Sequence, residues 1–170
     1  MPYRPELHGF RGAVASTHWL ASAAGMAMLE RGGNAFDAAT AAGFVLQVVQ
    51  PHLNGPGGET PILLYHAAAG RVRVVCGQGP MPQAATVAAF RDRGLATIPG
   101  SGLLPACVPG AFGAWLRLLG EYGRLRVSDV LEPAIGYAER GYPLPAKAAA
   151  AIGALAPLFR QEWAESGRTY

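Results

Sequence analysis

Charge is scarce in this chain. Of 170 residues only 15% are Asp, Glu, Lys or Arg, and Lys147 is the single lysine. The 13 arginines are scattered, and the densest spots, Arg71–Arg73 and Arg124–Arg126, alternate with apolar residues. With a net charge of only +3, no basic stripe is available for phosphates, so no nucleic-acid partner is expected. Cysteine is equally sparse. Cys76 and Cys107 stand alone with no CxxC spacing, which excludes a disulfide framework and a cysteine zinc site. His8, His18, His52 and His66 show no i, i+4 pairing with one another or with an acid, so no metal is expected. Long hydrophobic runs are missing too. Ala38–Val49 is interrupted by Thr40, Gly43 and Gln47 and is too short for a bilayer, so no membrane partner is expected. Met1–Arg11 carries Arg4, Glu6 and Arg11 and no apolar core. No signal peptide is visible there, and a cytoplasmic location follows as the expectation.

What is present points to a packed fold. The chain is 51% hydrophobic, which excludes intrinsic disorder. Its 17.7 kDa corresponds to a folded surface of roughly 8,000 Å² against roughly 26,000 Å² unfolded, enough burial for one core. The low charge content also suits a surface that meets more protein. Gly (23) and Pro (14) are frequent but follow no period, so collagen is excluded.

Residues 1–12 read as an arm, and Ala13–Ser16 as a short strand. Leu20, Ala24 and Met28 recur at i, i+4, i+8, predicting a helix over Leu20–Arg31. Gly32-Gly33-Asn34 ends it through a left-handed C-cap. Asn34 then caps a second helix, with Asp37 in its first turn, running to Val49 before Pro51. A glycine-rich loop, Asn54–Gly58, leads to a hairpin of Ile62–His66 and Arg71–Cys76, turned at Ala67–Gly70. A short helix over Thr86–Gly94 and a Pro/Gly loop over Pro99–Gly110 follow. Phe112, Trp115, Leu116 and Leu119 mark the inner face of the next helix. Ser128–Arg140 forms another, with Leu131, Ile135 and Ala138 on one side, Pro133 disturbing its first turn and Gly141 as its stop. Pro145 opens an Ala-rich helix to about Phe159. The class is α/β (α+β).

The motifs for common chemistries fail. Gly55-Pro56-Gly57-Gly58-Glu59-Thr60 lacks the third glycine of GxGxxG and enters a strand, not a helix; GxxxxGK[ST] is absent. A nucleotide cofactor, or any other, is not expected. Gly100-Ser101-Gly102 follows Pro99, so GxSxG is absent as well. Asp37, Glu59 and Asp92 show no pairing. Residue chemistry alone therefore stops at an α/β domain of unstated function.

The order of short runs carries further. Ala15-Ser16-Thr17-His18 and Leu20-Ala21 precede Leu29-Glu30-Arg31-Gly32-Gly33-Asn34-Ala35-x-Asp37-Ala38-Ala39 and Gln50-Pro51-His52. Then come the glycine-rich loop, a strand with Tyr65, Ala69-Gly70-Arg71-Val72, Val108-Pro109-Gly110, Tyr122-Gly123-Arg124-Leu125, Pro133-Ala134-Ile135 and Ala138–Pro143. In register over residues 13–143, this series closely resembles the N-terminal part of the large subunit in the γ-glutamyltransferase (γ-glutamyltranspeptidase) family. The resemblance implies an N-terminal-nucleophile hydrolase with a four-layer αββα sandwich. Only its N-terminal portion would be present, with residues 13–170 as a partial large-subunit domain truncated at its C-terminus. It also implies a precursor that cuts itself. The new N-terminal Thr of the small subunit attacks a γ-glutamyl amide, as in glutathione, and passes the acyl group to water or an amine. A free α-amine beside a Thr hydroxyl is a built-in base, and backbone donors hold the oxyanion.

None of Thr17, Thr40, Thr60, Thr86, Thr97 or Thr169 stands in a cleavage-site context. No catalytic residue is therefore expected in this chain, which should be inactive alone. Its expected partners are the remainder of the precursor (the small subunit) and a small-molecule amide or γ-glutamyl substrate. In Cys76-Gly77-Gln78-Gly79-Pro80-Met81-Pro82, Gln78 occupies the place where the family holds the substrate's α-carboxylate with an Arg. It is the one substrate-binding residue the resemblance carries over. Gln brings no charge and no bidentate fork. Either the whole protein acts on a non-glutamyl amide, as superfamily acylases and oxamate amidohydrolase do, or Gln78 only braces its turn. A non-catalytic binding module is the rival from another class. Glu59-Thr60-Pro61 replaces further glycines of the loop, which questions close backbone packing there. The two long helices are expected to form one layer on the hairpin, leaving apolar surface uncovered.

Overall fold

The computed structural model describes residue 6, residues 8–100 and residues 102–169. Half of the predicted arm (residues 1–5 and 7) and Ser101 lie outside the described residues. The elements in chain order are α1 (Trp19–Glu30), α2 (Ala35–Val49), β1 (Thr60–His66), β2 (Arg71–Gly77), α3 (Val87–Arg91), α4 (Ala111–Tyr122), α5 (Val127–Arg140), α6 (Ala146–Glu162) and α7 (Ala164–Thr169). This is a mixed α/β arrangement.

Local chemistry fixes the helix ends. The side chain of His18 accepts from the Leu20 N–H and so caps α1. At the other end Gly32 takes φ 88°. Gly33 N–H bonds the Met28 carbonyl and Gly32 N–H that of Leu29, the paired bonds of a Schellman stop. Asn34 and Asp37 form a reciprocal capping box at the start of α2. β1 and β2 pair antiparallel from Thr60↔Gly77 to His66↔Arg71, and Gly70 closes the turn in the left-handed region.

The layers differ from expectation in one respect. α1 packs on α2, and α2 packs on α4 and α5, but the hairpin rests chiefly on α4. Leu64 and Val75 meet Ala114 and Leu118 in one cluster, with only Phe36 reaching in from α2. α4 therefore stands between the helical pair and the sheet. Its small inner residues allow this. A Cβ on Gly77 would lie 2.5 Å from that of Ala114, so strand and helix meet almost backbone to backbone.

Three other expectations are corrected. Ala13–Ser16 is not a strand, and among the described residues only β1 and β2 pair. Val14 instead fills the space that Gly25 leaves on α1, where a Cβ would sit 2.8 Å from Val14 Cγ1. On α4 the buried positions are Ala111, Ala114, Leu118 and Leu119, whereas Phe112 is exposed and rests edge-on against Phe44. On α5 they are Val130, Ala134 and Gly136, while Ile135 and Ala138 are exposed. Leu119 is buried as expected, and Trp115, Leu116 and Leu131 pack against the core from its edge, but the closest contacts use small side chains, which bulk did not mark. Pro133 sits inside an unbroken α5 and removes only one N–H from its ladder.

The hairpin has an inner and an outer face. Leu63 and Tyr65 of β1 stand opposite Val74 and Val72 of β2 on the outer face, and all four are 60–74% exposed. Val72 and Val74 thus face outward, while Arg73 faces α4 beside the buried Leu64 and Val75. The described chain has 11873 Å² of accessible surface, well above the roughly 8,000 Å² of a compact chain of this mass. The excess agrees with a sheet that lacks a covering layer. α6 contributes as well, for none of its residues is buried. No helix among the described residues is long and apolar enough to cross a membrane.

Candidate functional site

Three loops meet where the hairpin ends and α4 begins. The first is the glycine-rich loop after α2. Asn54 anchors its root by donating from Nδ2 to the Leu46 and Gln50 carbonyls, 3.2 Å each. Gln50 in turn receives the Thr17 hydroxyl at 2.5 Å. The second loop follows β2, and the third precedes α4. The Gly58 carbonyl accepts the N–H groups of Gly110 (3.2 Å) and Ala111 (2.9 Å), and the Pro80 carbonyl accepts that of Val108 (2.9 Å).

The glycines that matter here are not those of the first loop. Gly55 and Gly57 have open space where a Cβ would go. By contrast, a Cβ on Gly79 would lie 1.4 Å from the Val108 carbonyl oxygen, and one on Gly110 would lie 2.2 Å from that of Gly77. The Gly77–Gly79 segment is therefore pressed main chain against main chain onto Val108–Gly110. Gln78 is held between those two glycines. Its own side chain is exposed and hydrogen-bonds nothing among the described residues. Rigid backbone on both sides and a free amide at the tip suit a group that meets something outside this chain. Met81 and Cys107 bring the same loops together, with Cys107 Sγ 3.4 Å from Met81 Sδ.

A second junction was legible in the sequence only as a helix start. Asp37 is fully buried. Its carboxylate accepts the N–H groups of Asn34 (2.7 Å), Arg124 (2.9 Å) and Leu125 (3.1 Å). Asn34 Nδ2 donates to the Tyr122 carbonyl at 2.7 Å. Two runs that carry the resemblance, Gly33-Asn34-Ala35-x-Asp37 and Tyr122-Gly123-Arg124-Leu125, are thus one joint. A Cβ on Gly123 would stand 2.7 Å from Asp37 Oδ1, which explains the glycine beside the carboxylate. The only signal available beforehand was the place of Asp37 in the first turn of α2, next to the capping Asn34.

The remaining candidates resolve simply. His18 is buried as a cap, and His66 stands edge-on to Tyr122 with ring centroids 5.4 Å apart. Among the described residues no group of three His, Cys, Asp or Glu side chains could hold a metal. The Arg117 side chain, 2.7 Å away, holds the Glu121 carboxyl below the usual carboxylate range. Arg126 does the same for Asp129 through two bonds of 2.9 Å. Neither pair touches the loops around Gln78.

Comparison with known proteins places this geometry. Residues 21–170 match the gamma-glutamyltranspeptidase family model. The glutathione hydrolase-like YwrD proenzyme of Bacillus subtilis (strain 168) is 43% identical over 81% of this chain and 26% of its own length. The crystal structure of Helicobacter pylori gamma-glutamyltranspeptidase superposes with a TM-score of 0.82 at 32% identity, covering 92% of this chain and 46% of that one. Cephalosporin acylase from Bacillus halodurans superposes at 0.80 with 35% identity, covering 96% of this chain and 31% of that one. The chain spans about a quarter of the length of the curated relatives it matches.

Proposed function

Because the chain belongs to the gamma-glutamyltranspeptidase family, we propose that it supplies the N-terminal part of the large subunit of a self-processing, amide-cleaving N-terminal-nucleophile enzyme. The complete protein would carry the four-layer αββα sandwich, with the hairpin inside one sheet. Its small subunit would bring the attacking Thr and cover the outer hairpin face. That relatives are proenzymes supports the two-part assembly. On this reading the attacking Thr comes from the small subunit, so the chain alone would not turn over.

The substrate reading rests on Gln78. Its position between two backbone-clamped glycines, with a free side chain, suits a residue of the acyl pocket better than a brace of its own turn. A charge-assisted Arg–carboxylate bond contributes about 1.5–3 kcal/mol against about 1 for a neutral one. Gln in place of Arg therefore weakens recognition of a γ-glutamyl α-carboxylate by roughly 1–2 kcal/mol, or about tenfold. A neutral or differently charged acyl group then competes. Family relatives named for a cephalosporin and for oxamate are consistent with such a shift. The favoured substrate is a small amide without a strict γ-glutamyl requirement.

The test is Gln78→Arg in the complete, self-processed enzyme. A rise of several-fold in kcat/KM for γ-glutamyl amides, with no rise for neutral amides, is the expected outcome. Unchanged kinetics on both, accompanied by a shift in thermal stability, would return Gln78 to a turn-bracing role.

A further inference from the structure

A second polar cleft, which does not include Gln78, runs along β2 and the last turns of α4. It measures about 460 Å³ and is lined by Arg73, Val74, Val75 and Cys76 of β2 and by Arg117, Glu121 and Tyr122 of α4. Arg73 is half-buried on the helix-facing side of the hairpin. Its guanidinium lies 5.9 Å from the Tyr122 ring centre and donates through one terminal nitrogen to the Tyr122 hydroxyl at 3.2 Å. Its Nε is shut away from solvent without a hydrogen-bond partner. No carboxylate pairs with Arg73 among the described residues. Arg117, across the cleft, spends only its Nε on Glu121.

Partly burying a guanidinium against a neutral phenol is an unfinished arrangement. A cation removed from water is normally matched by an anion, because desolvation costs several kcal/mol unless a counter-charge offsets it. The cleft holds two guanidiniums and one carboxylate, and that carboxylate is already engaged. We propose that this cleft is a carboxylate-binding site, in which Arg73 and Arg117 grip one carboxylate from opposite sides beside the Tyr122 hydroxyl. Guanidinium geometry fits a planar, singly charged carboxylate. Glu121 on the rim works against a dianion such as phosphate. The ligand's carboxylate belongs either to a small organic acid or to a Glu or Asp side chain on an extended segment lying along β2. The positive field is already felt by Glu121, whose carboxyl is held low first by Arg117, with Tyr122 and Arg73 adding to it.

The experiment titrates the 170-residue chain with sodium acetate at constant ionic strength, balanced by sodium chloride. Arginine side-chain NMR signals are followed. A parallel arm uses a blocked pentapeptide, Val-Thr-Glu-Thr-Val, and its Gln counterpart. Saturable shifts at Arg73 and Arg117 with acetate, absent with chloride, are the expected result. If the Glu peptide binds at least about tenfold tighter than acetate and protects β2 amides, the carboxylate belongs to an extended segment. If the two match, a small acid suffices. Arg117→Gln, an exposed change that leaves the core untouched, should weaken binding about tenfold. Arg73→Gln should abolish it. Should neither probe shift either arginine, or should Arg117→Gln bind acetate as well as the parent chain, the cleft is not a carboxylate site.

Discussion

Asp37→Ala removes the acceptor at the joint between the α1–α2 turn and the α4–α5 turn. Three backbone N–H groups, of Asn34, Arg124 and Leu125, lose their partner. Leaving a buried donor unpaired costs about 1–3 kcal/mol. Relief from burying a carboxylate offsets part of that sum, so the net loss expected is about 3–5 kcal/mol, the range found when one side of a buried charged contact is deleted. Asp37→Asn keeps one acceptor oxygen but turns an NH₂ toward backbone donors, and should lose about 2 kcal/mol. Amide hydrogen exchange reads the effect locally. At about 1.4 kcal/mol per tenfold, exchange at Leu125 and Asn34 should speed up by roughly a hundredfold or more in the Ala variant. The Asn variant should fall between it and the parent. Exchange within threefold of the parent for both variants would refute the idea that this carboxylate holds the two turns together.

Three further outcomes are expected. The isolated chain should release no anilide from a γ-glutamyl anilide above the buffer rate; purified, persistent turnover would overturn the need for a nucleophile from outside. Because Leu63, Tyr65, Val72 and Val74 are uncovered, the chain should bind apolar dyes and self-associate. Light scattering on the Leu63→Thr, Val74→Lys double variant should show less association, and a dye-silent, monodisperse parent chain would contradict this. Asp129 is held below its ordinary range by Arg126. Its support for the start of α5 is therefore complete above the unfolded carboxylate range and fades as pH falls through the lowered value. Added salt should shrink this pH response, and an Arg126→Gln variant should lack it in a side-chain carboxyl titration.

Helix boundaries were legible because they are set by residues close in sequence. His18, Asn34 and the Gly32–Gly33 pair do their work within a few positions, and α1 and α2 lie within about a residue of the expected spans. Faces were less legible. Phe112 and Ile135 drew the inner stripe toward themselves, yet they stay exposed, because close approach to the sheet and α2 is made through Ala114 and Ala134. The hairpin's alternation was visible, but not which set would turn inward, since both faces are fit for burial. Gln78 was found only through resemblance; nothing in its own neighbourhood distinguishes it. Asp37 could be read as a cap but not as a joint. Its other partners are main-chain N–H groups 87 and 88 residues away, and main-chain donors leave no mark on a sequence.

The two bonds from the Gly58 carbonyl to Gly110 and Ala111 also bear on how such a protein can diversify. They close the root of an excursion, residues 59–109, whose two ends leave and rejoin the helical framework side by side. The hairpin and Gln78 lie on that excursion, whereas the Asp37 joint lies outside it. Lengthening or shortening the segment between β2 and α4 leaves the root intact and changes closure entropy slowly, by about 0.6 kcal/mol for each doubling of a flexible loop. Insertions and deletions there can redraw the loops around Gln78 while the helices keep their contacts. A framework of this kind can carry different loops, in keeping with relatives named for glutathione, cephalosporins and oxamate.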